Sequence, residues 1–383
     1  MSPLAEVLHD AGLDIRGSDM AESSNTLTLR ERGIPIHIGH SADNVTDDIS
    51  FVIRTAAVHD DNPEVHEAHR RGIPVFERTQ AWGALMRGYQ NALCISGTHG
   101  KTTTTSMCTH IMMAAEKDPT VMIGGTLPLL KACHRVGKGN TIIMESCEYY
   151  NSFLALNPTI AVVLNIEADH LDFFKDLEDI KHSFRCFAER VPAETGTVIA
   201  NYDDANTMDA LRGIARKVIT FGLNAKADVY AQNIVHRGSV SEFDIYHRGN
   251  YFARVTLHVP GIHNVRNALA ATAAAIVLGV SPNAVKYGLA GFEGAGRRFD
   301  FKGKFQGADL YDDYAHHPSE LRALLDAVDT LNYQRTIVVF QPHTYSRTAK
   351  LFNDFVEQLR RPTIVYLAEI YAAREKNLSL IHI

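Results

Sequence analysis

The chain has 383 residues with an ordinary apolar fraction of 45%, enough for about two or three domains with a sizeable core. Its net charge is −6 with Lys and Arg spread along the sequence, which argues against a nucleic-acid footprint and leaves room only for a local basic pocket. Five cysteines without a Cys-x-x-C pair predict free thiols in a reducing cytoplasm. Met1 to Glu6 lack the basic and apolar regions of a signal peptide, and the alanine-rich run from Ala268 to Val280 is too short to span a bilayer.

Taken in chain order, Pro3 to Ala11 reads as a helix and Leu13 to Gly17 as a strand. Thr26 to Gly33 (helix), Ile34 to Ile38 (strand), Phe51 to Ile53 (strand), Pro63 to Arg71 (helix) and Ile73 to Phe76 (strand) follow. Helices alternating with short apolar strands predict a parallel sheet in a doubly wound domain, residues 1–88. Such domains normally open on a central strand and a glycine-rich turn. This chain opens on a helix, so a truncated N-terminus and a sheet lacking its centre are expected.

The second part, residues 89–296, begins with the apolar run Ala92 to Ser96. It then carries Gly97-Thr98-His99-Gly100-Lys101-Thr102-Thr103 and a helix. Strand, glycine turn with Lys-Thr, and helix is a phosphate cradle: backbone N–H groups line the turn and the helix N-terminus adds positive charge. The lysine serves the phosphates and the adjacent hydroxyl a Mg²⁺ ion. Only two residues separate the glycines, against four in the common motif, so the loop belongs to a particular branch of nucleotide-using enzymes.

A strand at Thr141 to Met144 delivers Glu145-Ser146-Cys147-Glu148, where a carboxylate either holds the metal or is a solvated loop charge. A strand at Thr159 to Leu164 delivers Asn165 to Asp172, with His170 among carboxylates at a strand end, where α/β sheets bind ligands. His170 reads as a metal ligand or a structural histidine. Glu242 to Tyr246 and Tyr251 to Val259 alternate with period two and predict a hairpin from a small separate sheet. His263, Asn264 and Asn267 open the helix Asn264 to Leu278; they read as base or ribose contacts or, for Asn264, as a cap.

The third part, residues 297–383, predicts a βαβαβ run: a strand ending at Asp309 to Tyr314, helix Pro318 to Leu331, strand Arg335 to Gln341, helix Lys350 to Leu359, strand Thr363 to Leu367. Two strand ends, Asp312 to Pro318 and Gln341 to Thr348, carry Asp, His, Tyr and Arg to one sheet edge and suggest a substrate pocket. His317 before Pro318 also serves to shape the turn.

Together, the short phosphate loop, Asn165 to Asp172, His263-Asn264-x-x-Asn267 and Asp312 to Pro318 resemble the Mur ligases over nearly the whole chain and in the family's order. The loop histidine, the double histidine, and Phe340 to His343 with Arg347-Thr348 resemble its alanine-adding members. The resemblance implies an α/β, three-domain architecture. A Rossmann-like domain binds the UDP sugar, a central P-loop ATPase domain carries a small extra β-sheet, and a partial Rossmann-like domain brings the amino acid. It implies ATP and Mg²⁺ as cofactors, UDP-N-acetylmuramate and L-alanine as substrates, and an acyl phosphate between them.

By the same resemblance, Gly97 to Thr103 and Asn165 hold ATP, with His263, Asn264, Asn267 and Asp313 beside it. Lys101 serves the phosphates, Thr102 one metal, and Glu148 with His170 a second. Ser18, Asp19, Arg297 and Arg298 approach the sugar nucleotide or acyl phosphate, and Tyr314, His316, His343 and Arg347 the amino acid. The sequence departs from the family at Pro3, at Thr344 and in the tail Leu378 to Ile383, and no counterpart of a modified lysine is evident. Two other readings remain: a recycling ligase that adds a peptide, and an inactive nucleotide-binding fragment. A GTPase switch is disfavoured because no Asn-Lys-x-Asp motif is present.

Overall fold

The computed structural model describes residues 1–55, 57–373 and 375. At its centre is one ten-stranded sheet. Six strands run parallel in the order Lys217–Gly222, Thr197–Asn201, Ile160–Val163, Asn91–Ser96, Thr141–Glu145 and Thr120–Leu127. The central strand alternates its side chains between two cores. Leu93 and Ile95 face one, Ala92 and Cys94 the other, all fully buried. Neighbours repeat the pattern with Ile143 and Val162 on the first side and Ile142 and Ala161 on the second. Both faces are covered, which is why these strands read as continuous apolar runs.

The first face is covered by helices Lys101–Ala114, Ile262–Val277 and Pro282–Ala290. The second carries Ser2–Asp10, Arg78–Met86 and Leu177–Glu189. Among the described residues no helix is long and apolar enough to cross a membrane. All five cysteines are unpaired.

The expected hairpin forms between Val240–His247 and Asn250–Leu257. It is not a separate small sheet. Val229–Arg237 pairs in parallel with Phe221 and Gly222 through its first residues and antiparallel with Val240–His247 along its length, so the hairpin continues the edge of the central sheet.

Toward the N-terminus, Gly17–Asp19 pairs with Ile36–Ile38 and Val52–Arg54 with Val75–Glu77, as two separate parallel pairs. The strand predicted at Leu13 to Gly17 begins only at Gly17. Gly12, at φ 86°, turns the chain so that Leu13 N–H closes on Leu8 O; helix termination uses those residues instead.

In the third part, Ile337–Phe340 pairs in parallel with Ile364–Leu367, as expected. The strand Ala308–Asp312 departs from the predicted run. It pairs antiparallel with Asp300–Phe305 and not with Ile337–Phe340. Gln306 and Gly307 both have positive φ (48° and 84°), the requirement of a tight two-residue hairpin turn. The tail Leu378 to Ile383, expected to depart from the family, lies outside the described residues.

Candidate functional site

Asn91–Ser96 ends at the phosphate loop, and the helix begins at Lys101. The two glycines are required by the space around them. Gly97 (φ 144°) would put a Cβ 2.8 Å from the Leu164 Cβ, and Gly100 (φ 84°) one 2.7 Å from Asn267 Oδ1. Asn165 fixes the loop from the neighbouring strand end, accepting from His99 N–H at 2.8 Å and donating to His99 O at 3.1 Å. Without a side-chain cap at Gly100, the first N–H groups of the helix stay available, the arrangement that suits an anion.

Lys101 folds over the loop. Its Nζ donates to Gly97 O and Thr98 O and pairs with Glu148 at 3.1 Å. Burial would lower its pKa, but Glu148 and the neighbouring acidic groups carry it above the ordinary lysine value. Glu148 is 2% exposed and also lies 3.7 Å from His170 Nε2. Burial lowers the pKa of His170, which favours the neutral imidazole a metal requires. His170 has φ 52° and stacks on Tyr149 with ring centroids 4.3 Å apart.

A buried carboxylate beside a neutral imidazole fits a divalent cation shared with substrate phosphates. Thr102, assigned to the first metal, hydrogen-bonds Glu145 at 3.1 Å rather than Glu148. Glu145 is further held by Gly124 N–H at 2.6 Å. Both candidate carboxylates thus face the loop, one on the hydroxyl and one on the lysine.

Beside the loop is a cavity of about 360 Å³ lined by His99, Gly100, Thr102, Thr103 and Asn165, with His263, Asn264, Asn267, Arg298 and Asp313 across from them. Gly97, Thr98, Lys101, Glu148 and His170 are not in its lining. Asn264 does not cap its helix. Gly261 holds that position, while Asn264 donates to Pro260 O at 2.7 Å and accepts from Asn267. Burial drives the His263 pKa down to about 4, and Arg266 adds to it. The cavity also takes Asn201, Asp203 and Phe221, which the sequence reading missed. They end or follow the strands Thr197–Asn201 and Lys217–Gly222 at the same sheet edge, which is the signal that could have found them.

The third part closes the cavity with helix Pro318–Asp329, through Ser319, Glu320 and Ala323. Asp313 accepts from Phe299 N–H at 2.7 Å and Ala315 N–H at 2.8 Å, and burial raises its pKa. Arg297 and Arg298 stack over Tyr314 at 4.9 and 5.4 Å. A line of side chains runs from there: Tyr314 to His316 (5.2 Å between centroids), His316 to His343 (5.8 Å), then His343 to Arg347 (3.2 Å). It ends on Asp169 of the central part, 2.9 Å from Arg347 and adjacent to His170.

His99 meets Glu167 at 3.3 Å and Glu320 at 3.4 Å, and its ring lies 5.0 Å from that of His317. Ligand atoms of His99, Glu167 and His317 all lie within 4.8 Å of one another. Ser18 and Asp19 end the Gly17–Asp19 strand away from this cavity. Ser18 donates to Glu64 at 2.6 Å and Asp19 accepts from Ala21 N–H.

A phosphate loop at the carboxyl edge of a parallel sheet, with a buried carboxylate–imidazole pair and a second domain closing over it, defines a P-loop nucleotide-using α/β protein of several domains. Residues 95–275 match the Mur ligase middle domain, residues 1–90 the Mur ligase family catalytic domain, and residues 297–379 the Mur ligase glutamate ligase domain. The chain belongs to the Mur ligase family.

The UDP-N-acetylmuramate–L-alanine ligase of Agathobacter rectalis is 46% identical over 378 residues, covering 98% of this chain and 82% of that protein. Its Clostridium novyi counterpart is 44% identical, covering 100% and 82%. Among solved structures, the UDP-N-acetylmuramate–alanine ligase of Thermotoga maritima superposes with a TM-score of 0.78 at 31% identity, covering 96% of this chain and 82% of that one. A UDP-N-acetylmuramate:L-alanyl-γ-D-glutamyl-meso-diaminopimelate ligase from Neisseria superposes at 0.68 and 26% identity, covering 77% and 95%.

Proposed function

We propose that the chain ligates L-alanine to UDP-N-acetylmuramate at the expense of ATP, in the cytoplasmic stage of peptidoglycan synthesis. The observation that carries this reading is the line from Tyr314 through His316, His343 and Arg347, which ends on Asp169 beside the Lys101–Glu148–His170 cluster. In this reading the line is the amine-binding surface and the cluster beside it serves the phosphates. The activity named for the relatives in Agathobacter, Clostridium and Thermotoga supports the choice of substrates.

In this reading the muramate carboxylate attacks the γ-phosphorus of ATP, ADP departs, and an acyl phosphate forms. The alanine amine then attacks the acyl carbon, and phosphate leaves with one former carboxylate oxygen. Such a reaction needs positioning and charge neutralisation rather than a protein nucleophile. Gly97 to Thr103 cradle the phosphates through backbone N–H groups, and Lys101 leaves its loop carbonyls to meet the γ-phosphate. Glu148, His170 and the Thr102 hydroxyl would hold Mg²⁺, which supplies neutralisation of phosphate charge when bound.

Asn165, His263, Asn264, Asn267 and Asp313 surround the adenosine. Arg297 and Arg298 face the acyl phosphate, while Tyr314, His316, His343 and Arg347 place the amino acid. Ser18 and Asp19 take the sugar nucleotide in the 1–88 domain. The 89–296 and 297–383 domains bring ATP and alanine together.

The test is phosphate release with ATP, Mg²⁺ and UDP-N-acetylmuramate, comparing L-alanine with other amino acids and with the tripeptide named for the Neisseria relative. Release that depends on L-alanine supports the proposal. Release only with the tripeptide makes the chain a recycling enzyme, and no acceptor-dependent release makes it a nucleotide-binding fragment.

A further inference from the structure

The side chain of the loop histidine has no part in the chemistry just described, yet carboxylates from two parts of the chain meet its ring. His99 stands between two glycines of positive φ that pack closely on Leu164 and Asn267. Its backbone N–H and C=O are both held by the Asn165 side chain. One ring nitrogen faces Glu167 of the central part and the other faces Glu320 of the closing helix. Two carboxylates on opposite nitrogens call for both ring N–H groups, the imidazolium form.

Glu320 makes the connection informative. One of its oxygens faces His99 and Arg298. The other accepts the backbone N–H of His316 at 2.9 Å and of His317 at 3.3 Å. A single carboxylate therefore touches the phosphate loop and holds the backbone of His316, a residue of the amine pocket. Glu167 likewise takes the Ser319 hydroxyl. The charges balance among protein groups, with His99 and Arg298 opposite Glu167 and Glu320, so the cluster is complete as an ion-pair network. The spacing of His99, Glu167 and His317 follows from that network.

We infer that His99 and Glu320 are positioning residues that couple the phosphate loop to the His316 loop, so that the amine pocket is shaped only while the closing helix is docked on the loop. The inference rests on the ligase reading above. When the helix moves away, Glu320 leaves His99 and carries the His316 backbone with it. The loop itself, held by Asn165 and the two glycines, keeps its shape and its phosphate cradle.

The test is a double-mutant cycle with His99→Ala and Glu320→Gln in the full chain. Gln retains the capping bond at the helix start and removes only the charge. Each single variant should lose roughly 30-fold in kcat/KM for L-alanine, mostly through KM. The double variant should lose no more than either alone. Fluorescent-nucleotide affinity should fall by much less than the alanine KM rises in all of them. Losses that multiply in the double variant, or nucleotide affinity that falls as far as alanine KM rises, overturn the coupling.

A second readout does not depend on turnover: small-angle scattering with a non-hydrolysable ATP analogue. The wild-type chain should contract and both single variants should not. Contraction in the variants also overturns the inference. A wild-type chain that contracts without releasing alanine-dependent phosphate defeats the ligase reading instead.

Discussion

Lys101 shows how one side chain can be held ready by its own loop. Its ammonium is satisfied by Gly97 O, Thr98 O and Glu148, so nucleotide exchanges one set of partners for another and leaves no buried charge unpaired. Lys101→Ala should lower kcat by about 10³-fold and, because it strands the buried Glu148 carboxylate, lower the melting temperature as well, as checked by phosphate release and calorimetry. Normal turnover would show that the loop does not serve phosphate.

Glu148→Gln tests the proposed metal site. It should raise the Mg²⁺ concentration needed for half-maximal rate by about tenfold or more, read from a metal titration. His99 gives a pH signature. Burial would lower its pKa, but hydrogen bonds to Glu167 and Glu320 outweigh that and carry it to about 9. A pKa raised above the unfolded value of about 6.5 contributes stability that is full below that pH. The contribution is lost as pH rises through about 9. Thermal melts across that window should show a decline that His99→Ala removes.

At the scale of elements, the phosphate-loop helix is set by its neighbours. Gly288 in helix Pro282–Ala290 would place a Cβ 2.5 Å from the Ile111 Cα of that helix. Gly288→Ala should therefore destabilise by about 1–3 kcal/mol through helix displacement, measured by denaturant unfolding. The elements that build the loop were legible because a parallel strand buried on both faces, such as Asn91–Ser96, gives a short apolar run ending in glycine.

Others were not legible, for physical reasons. Asp300–Phe305 is mostly exposed, so it has no apolar face to reveal it. The hairpin Val240–His247 and Asn250–Leu257 was visible by alternation, but alternation says nothing of which sheet it joins. The strand-end clusters marked Glu148 and His170, whereas Asn201 and Asp203 carried no charge pattern distinctive enough to mark them. Glu320 was hidden for another reason: its role depends on a contact with His99, which is more than two hundred positions away in the chain.

For the whole molecule, the third part packs against the residues after Leu164. Arg347 pairs with Asp169, both side chains about a tenth exposed, and Lys350 donates to Leu171 O at 2.9 Å. Removing one partner of a buried pair strands the other, which costs about 3–5 kcal/mol. Arg347→Ala should loosen docking, seen as faster proteolysis between the second and third parts, and should raise KM for L-alanine more than for ATP. Equal effects on both substrates would place Arg347 outside the amine pocket.

In the proposed reaction a carboxylate is activated by phosphoryl transfer from ATP before the amine attacks. Isotope transfer tests it most directly, using UDP-N-acetylmuramate with ¹⁸O in its lactyl carboxylate. Mass spectrometry of the inorganic phosphate formed with ATP and L-alanine should find one ¹⁸O atom per phosphate released. Phosphate free of label, alongside amide product, would contradict an acyl phosphate and with it the account given for Lys101, Glu148 and His170.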